Sequence, residues 1–249
     1  MLIRDRQEKI LQLVNENTRL SFQELSEQVG VSESTLRRDL SALQERGLLS
    51  MVRGGAESSL AIMGRGEELI DRRYSLNSVE KEKIGRKAAS LIKPNDLVFI
   101  DSGSTTEKMC EFITERKATY VTIGLKHSII LSHNGLNTII APGRIKLLTE
   151  GIQGGYTSDF LRNFNFTIAF FGALGISKRG GYSTTDPEDA IVKSTVIKRC
   201  LENYILSDAS KFGLDTAASF GDLSDLSIIT TRESPIKEYN SFTNVIIAS

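Results

Sequence analysis

The chain has 249 residues, 40% of them hydrophobic and 25% charged, with a formal net charge of +0. That length holds one large domain or two smaller ones with a core that needs no disulfide staples, and the composition is that of an ordinary globular protein. No apolar run is long enough for a bilayer span and the start, Met1-Leu2-Ile3-Arg4-Asp5, lacks a signal-peptide apolar segment, while Cys110 and Cys200 stand far apart without metal-type spacing, so the expectation is a cytoplasmic protein with free thiols, no metal, no cofactor and no membrane partner.

Residues 3–15 place Ile3, Ile10, Leu11 and Val14 among polar residues, the pattern of a helix with one core stripe, ended by Asn15 and Asn17. Ser21 and Glu24 have capping-box spacing, with Leu20 and Leu25 at the staple positions; Phe22, Leu25 and Val29 then face a core. Gly30 breaks this helix, and Ser32 caps the next, which Gly47 closes. In that third helix Leu36, Leu40 and Leu43 share a stripe, and Ser34, Arg37, Arg38 and Ser41 fall on or near the opposite face. Helix, tight glycine turn and helix is the helix-turn-helix arrangement. Arg donates two parallel hydrogen bonds to guanine or pairs with phosphate, and Ser and Thr bond phosphates or base edges. The DNA-contact set read from this stretch is therefore Ser32, Ser34, Thr35, Arg37, Arg38 and Ser41.

A short strand follows and runs into Arg53-Gly54-Gly55-Ala56. Beside a helix pair this reads as the basic wing of a winged helix, which adds Arg53 to the DNA contacts; an interdomain hinge is the other reading of the two glycines. Residues 1–56 carry eight Lys and Arg against eight Asp and Glu, so attraction to DNA rests on segregation of charge rather than on its excess.

Residues 58–78 have weak periodicity and many charges and read as a linker. From 79 to 249 helical stretches (80–92, 125–133, 155–163, 187–201) alternate with strand-like runs (97–100, 120–123, 137–141, 166–171, 203–206, 227–231, 244–247). Alternation of this kind predicts an α/β fold, a doubly wound and mostly parallel sheet with helices on both faces.

Three segments carry candidate chemistry. Asp101-Ser102-Gly103-Ser104-Thr105-Thr106 joins a strand to a helix, with small residues that let backbone N–H groups face an anion and hydroxyls that add donors. It has neither the Lys of a P-loop nor GxGxxG spacing. A sugar-phosphate cradle is one reading and a tight capping turn the other. Ser207-Asp208-Ala209-Ser210-Lys211 also sits at a strand end, where Lys211 is the cation and Asp208 a hydroxyl acceptor. Carboxyl ends of parallel strands converge on one crevice, so both loops are expected to face one pocket. Asp186-Pro187 starts a helix whose Glu188 and Lys193 are further candidates, and Gly172 follows an apolar strand. Catalytic signals are absent: His127 and His133 lie in a helical stretch with no neighbouring acid, and no G-x-S-x-G or H-E-x-x-H occurs.

Val31-Ser32 with Thr35-Leu36-Arg37-Arg38-Asp39-Leu40, Arg53-Gly54-Gly55-Ala56, Asp101-Ser102-Gly103-Ser104-Thr105, and Ser207-Asp208-Ala209-Ser210-Lys211-Phe212-Gly213, in this order, resemble the DeoR-type family of bacterial transcriptional regulators. The resemblance covers nearly the whole chain. It implies a winged helix-turn-helix over 1–57, a linker over 58–78 and an effector domain over 79–249 that is similar to ribose-5-phosphate isomerase and glucosamine-6-phosphate deaminase. It also implies a homo-oligomeric repressor, dimer or tetramer, that binds a double-stranded operator of a carbohydrate operon and is released by a phosphorylated sugar. Gly181 to Glu188 with Lys193 is similar to the fructose-type members and points to a ketose or hexose phosphate. The rival reading is a sugar-phosphate isomerase or deaminase carrying a DNA-binding module.

Overall fold

The computed structural model describes residues 3–17, 19–45, 49–58, 77–147 and 149–249. Gly47 and most of the linker expected over 58–78 lie outside them.

The N-terminal unit has three helices, α1 (Ile3–Asn17), α2 (Phe22–Val29) and α3 (Glu33–Glu45), and three short strands, β1 (Arg19–Ser21), β2 (Leu49–Val52) and β3 (Gly55–Ser58). The strands form one antiparallel sheet in the order β1-β3-β2. Ser21 caps α2: its side chain accepts from the Glu24 N–H, and Glu24 accepts from the Ser21 N–H at 2.8 Å. Gly30 ends α2 at φ 77°, a left-handed conformation that costs glycine little. Ile10, Val14, Leu25, Leu36, Leu40, Leu43 and Leu49 close the core, so the leucine stripe of α3 turns inward.

Asp39 was not foreseen in this core. It is 4% exposed and joins α3 to α1 through Arg6 at 2.5 Å and 3.1 Å. The sequence also understated the wing, because β1 pairs with β3 and makes the hairpin a three-stranded sheet. Gly55 is the close approach there: a Cβ on it would stand 2.1 Å from the Leu20 carbonyl oxygen. Gly55→Ala is expected to push β3 off β1 and cost about 1–3 kcal/mol, read as a lowered thermal midpoint of the full chain.

The C-terminal unit is built on seven parallel strands in the order β15-β14-β12-β9-β4-β5-β6. Their ranges are β4 (Leu97–Ile100), β5 (Thr119–Thr122), β6 (Asn137–Ile140), β9 (Phe166–Gly172), β12 (Cys200–Leu206), β14 (Ser227–Thr230) and β15 (Val245–Ile247). Alternating side chains feed two cores, as expected of a sheet covered on both faces. Val98, Ile100, Tyr120, Ile168 and Phe170 pack under α4 (Ser78–Ala89), α5 (Ser104–Cys110) and α6 (Leu125–His133). Phe99, Val121, Ala169, Phe171 and Ile205 pack under α7 (Gly155–Leu161) and α8 (Pro187–Ile197).

Several small strands have no counterpart in the sequence reading. They are the hairpin β7 (Arg144–Lys146) and β8 (Gly151–Gln153), and an antiparallel sheet of β10 (Gly175–Ser177), β11 (Gly181–Thr184) and β13 (Ala218–Gly221). A four-residue helix, α9 (Ile236–Tyr239), precedes β15. Cys200, expected in a helix, starts β12 because α8 ends at Ile197. Cys110 is buried in α5; burial pushes both thiols up, Cys200 to about 12.

Candidate functional site

The seven-stranded order places the chain reversal between β4 and β9, and ligands of doubly wound sheets sit in the crevice at such a switch. A cleft opens there, at the carboxyl ends of β4, β9 and β12. Asp101, Ser102, Gly103, Ser104 and Thr105 line it from the first strand end, Gly172 from the second, and Asp208, Ser210 and Lys211 from the third. The two loops foreseen as converging do converge, and Lys193 reaches the same cleft from α8.

Asp101 is fully buried. Its Oδ2 accepts the Gly172 N–H at 2.8 Å and pairs with the Lys193 ammonium. Lys193 also donates to the Gly172 carbonyl at 3.2 Å and lies 3.5 Å from Asp189. Burial opposes the charge on Lys193, but Asp101 and Asp189 outweigh it and hold its pKa above the ordinary lysine value. Asp208 caps the turn after β12: its Oδ1 accepts from the Ser210 N–H at 2.9 Å and from the Ser210 hydroxyl at 2.5 Å. Lys211 lines the cleft half-exposed and makes no ion pair among the described residues.

Two proposed residues stand elsewhere. Thr106 is buried behind the cleft wall, where its hydroxyl meets the Asp101 carbonyl at 2.8 Å and His127 Nε2 at 3.0 Å. It fastens the loop and does not line the cleft. His127 is 2% exposed, and burial pushes its pKa down to about 4 against the opposing pull of Asp101 and Gly103. It is a neutral structural histidine that pins the 101–106 loop. Glu188 is exposed and pairs with Arg144 at 2.5 Å on the β7–β8 hairpin. One residue is a 100° turn of helix, so 189, not 188, shares the face of 193. Asp189 is thus the acid that the sequence reading missed, and i,i+4 spacing from Lys193 was the available signal.

Asn77 and Lys81 at the start of α4 also line the cleft; the sequence places Asn77 in the expected linker and Lys81 in the expected 80–92 helix, with no site role for either. Their neighbour Glu80 accepts from the Ala209 N–H at 3.3 Å and the Thr231 hydroxyl at 2.9 Å. No periodicity rule signals a helix start that reaches a strand-end loop 129 positions away.

A second surface lies on the N-terminal unit. Ser32, Ser34, Arg37, Arg38, Ser41 and Arg53 are exposed and Thr35 is half-exposed. The Ser32 hydroxyl lies 3.1 Å from that of Ser34 and 3.0 Å from that of Thr35, a hydroxyl cluster at the start of α3. The two arginines differ. Arg37 is held by Glu33 at 2.6 Å and lies 4.0 Å over the Phe22 ring, whereas Arg38 makes no ion pair among the described residues. Ser41 donates to the Arg37 carbonyl at 2.9 Å. Arg53 sits at the tip of the β2–β3 turn, where its carbonyl accepts from Arg19 at 3.3 Å. Arg19, a second basic residue at the wing, lies in the short stretch between the first two helices, where no motif marks it. Among the described residues no helix is long and apolar enough to cross a membrane, and no group of His, Cys, Asp and Glu is arranged to hold a metal.

Comparisons with known proteins agree with this two-part layout. The profile of the DeoR-like helix-turn-helix domain matches residues 6–60, and that of the DeoR C-terminal sensor domain matches 76–233. An uncharacterized HTH-type transcriptional regulator of Bacillus subtilis, FruR, is 34% identical over 232 residues, 93% of this chain and 92% of that protein. The lactose phosphotransferase system repressor of Staphylococcus epidermidis is 31% identical over 237 residues, 94% of each chain. Among solved structures, ribose 5-phosphate isomerase A of Methanocaldococcus jannaschii overlays with a TM-score of 0.40 at 16% identity over 55% of each chain, which adds nothing to the strand order given above. A helix-turn-helix with its wing, a switch-point cleft in the C-terminal unit and matches to both domain profiles over residues 6–60 and 76–233 place this chain in the DeoR family of transcriptional regulators.

Proposed function

We propose that the protein represses genes of carbohydrate use by binding an operator through α3 and the wing, and that a phosphorylated sugar in the switch-point cleft releases it. The observation that carries this reading is the cleft itself: one half-exposed lysine, Lys211, serine and threonine residues from two strand-end loops, and buried carboxylates, all lining one crevice. That set offers a cation and donors to a phosphate and acceptors to sugar hydroxyls. The staphylococcal relative is named a repressor of a sugar phosphotransferase system, which supports the sugar class.

On this reading residues 1–57 bind DNA, 58–78 link and 79–249 sense. The protein acts as a homo-oligomer, and the sugar shifts the balance between DNA-competent and incompetent arrangements by binding them with different affinity. Effector contacts come from Asp101 through Thr105, Gly172, Lys193, Asp208 and Lys211. DNA contacts come from Ser32, Ser34, Thr35, Arg38, Ser41 and Arg53, with Arg37 positioned by Glu33.

Arg38→Ala is expected to cost about 1–3 kcal/mol of operator binding and to flatten sequence preference, because its guanidinium makes no ion pair among the described residues. Arg37→Ala is expected to cost less. Fluorescence anisotropy with duplexes from the upstream region of the gene tests both, and loss of binding on adding a sugar phosphate tests the sensor. Unchanged affinity and preference in the Arg38 variant would remove α3 as the reading helix.

A further inference from the structure

The hairpin of β10 and β11 turns through Lys178-Arg179-Gly180, on the C-terminal unit. Arg179-Gly180-Gly181 repeats the Arg53-Gly54-Gly55 of the wing, and each stretch closes an antiparallel hairpin with an exposed arginine at its turn. The turn stands beside the reading helix. Ser41 and Gln44 of α3 line one cavity with Lys178 and Arg179, and at the same cavity a Cβ on Gly213 would lie 3.4 Å from Gln44 Cγ. Ser34, Arg37, Ser41 and Gln44 follow one another along α3 at steps of three and four residues and so share one face. The turn therefore flanks the C-terminal end of the face that carries the DNA contacts.

Both cations of the turn are exposed. Arg179 directs Nε and Nη2 to Asp215 at 2.9 Å and 2.6 Å, yet its side chain remains 66% exposed. Asp215 is buried and also accepts from the Ser177 hydroxyl, so it fixes the guanidinium in place while the outer side meets solvent. Lys178 pairs with Glu238 at 3.2 Å on an exposed surface, a contact that water and salt weaken and that a phosphate can replace.

We propose that the Lys178-Arg179 turn is a second contact to the duplex, made by the C-terminal unit to backbone phosphates where α3 leaves the major groove. This rests on the operator reading above and adds a surface outside the helix-turn-helix. Recognition helices read bases with their N-terminal residues, so the C-terminal end of α3 lies towards the rim of the groove, where phosphates stand. Residues 1–56 carry no excess of cations, and the turn supplies two more. Lys and Arg on phosphate fix register and add affinity without reading sequence.

Salt dependence tests this on the full chain. Fluorescence anisotropy compares duplexes from the upstream region of the gene with a scrambled duplex of the same length, from about 50 to about 200 mM salt. The variant combining Lys178→Gln with Arg179→Gln is expected to bind both duplexes about tenfold more weakly at the low-salt end. Its plot of log affinity against log salt is expected to be shallower by about two units, with sequence preference kept. Lys178→Gln alone, which leaves Asp215 its arginine, is expected to lose about one unit. An unchanged slope in the folded combined variant overturns the proposal. Tighter binding overturns it too, because the turn then obstructs the duplex. If the combined variant fails to fold, Lys178→Gln decides alone, and an unchanged slope there is the overturning result. Wild-type binding that Arg38→Ala weakens and the turn variants do not leaves the operator reading standing without this surface. Failure of the wild type to bind any upstream duplex overturns both.

Discussion

Replacing Lys193 by Met is expected to destabilise the protein by about 3–5 kcal/mol, the range for removing one partner of a buried ion pair. Asp101 is fully buried and Lys193 is 4% exposed, so neither has bulk water as a substitute partner. Without the ammonium the Asp101 side chain keeps the Gly172 N–H as its hydrogen bond, and Asp189 loses the cation that stood 3.5 Å away. Met fills most of the same volume, so the loss reports charge rather than a cavity. Urea unfolding of the full chain measures it. Asp101→Asn combined with Lys193→Met is expected to recover much of the loss, because no uncompensated charge then remains. If the double variant is as unstable as the single, packing and not ionic pairing sets the cost.

Acid should weaken the same region through His127. Its pKa falls from 6.5 unfolded to about 4 folded, so between those values the unfolded chain binds more protons than the native one. Stability therefore rises with pH across that window. The contribution, about 3 kcal/mol, is fully present above the unfolded pKa and is withdrawn as pH drops towards 4. The ring sits against Gly124, where a Cβ would come within 2.2 Å of it, and bonds Thr106 and Gly103, so an imidazolium finds little room for water. Unfolding free energies from pH 4 to pH 7 should show a shallower slope in His127→Gln than in the wild type. Equal slopes would show that the ring takes up its proton at the same pH folded and unfolded.

How far the sequence carries a reader depends on how local each signal is. The capping box at Ser21 and Glu24, the leucine stripe of α3 and the alternation of short apolar runs with amphipathic stretches all lie within a few residues, and each became the element expected. The convergence of the 101 and 207 loops was legible because parallel strands oblige their carboxyl ends to share one side. The strands β7, β8, β10, β11 and β13 were not, since three or four residues with Gly and Lys among them carry no period. The Arg6–Asp39 pair was hidden for another reason: an acid inside an apolar stripe reads as surface until its cation arrives from 33 positions away. Glu188 against Asp189 was an error of helical phase. Asn77 and Lys81 reach the cleft only through the packing of α4, which no nearby residue announces.

Glu80 ties the first turn of α4 to the backbone of Ala209 and the hydroxyl of Thr231. The start of α4, which follows the expected linker in sequence, is thereby moored to the rim that carries Asp208 and Lys211. Should a sugar phosphate seat on that rim, any shift it imposes on the turn would be felt at the start of α4 through this one carboxylate.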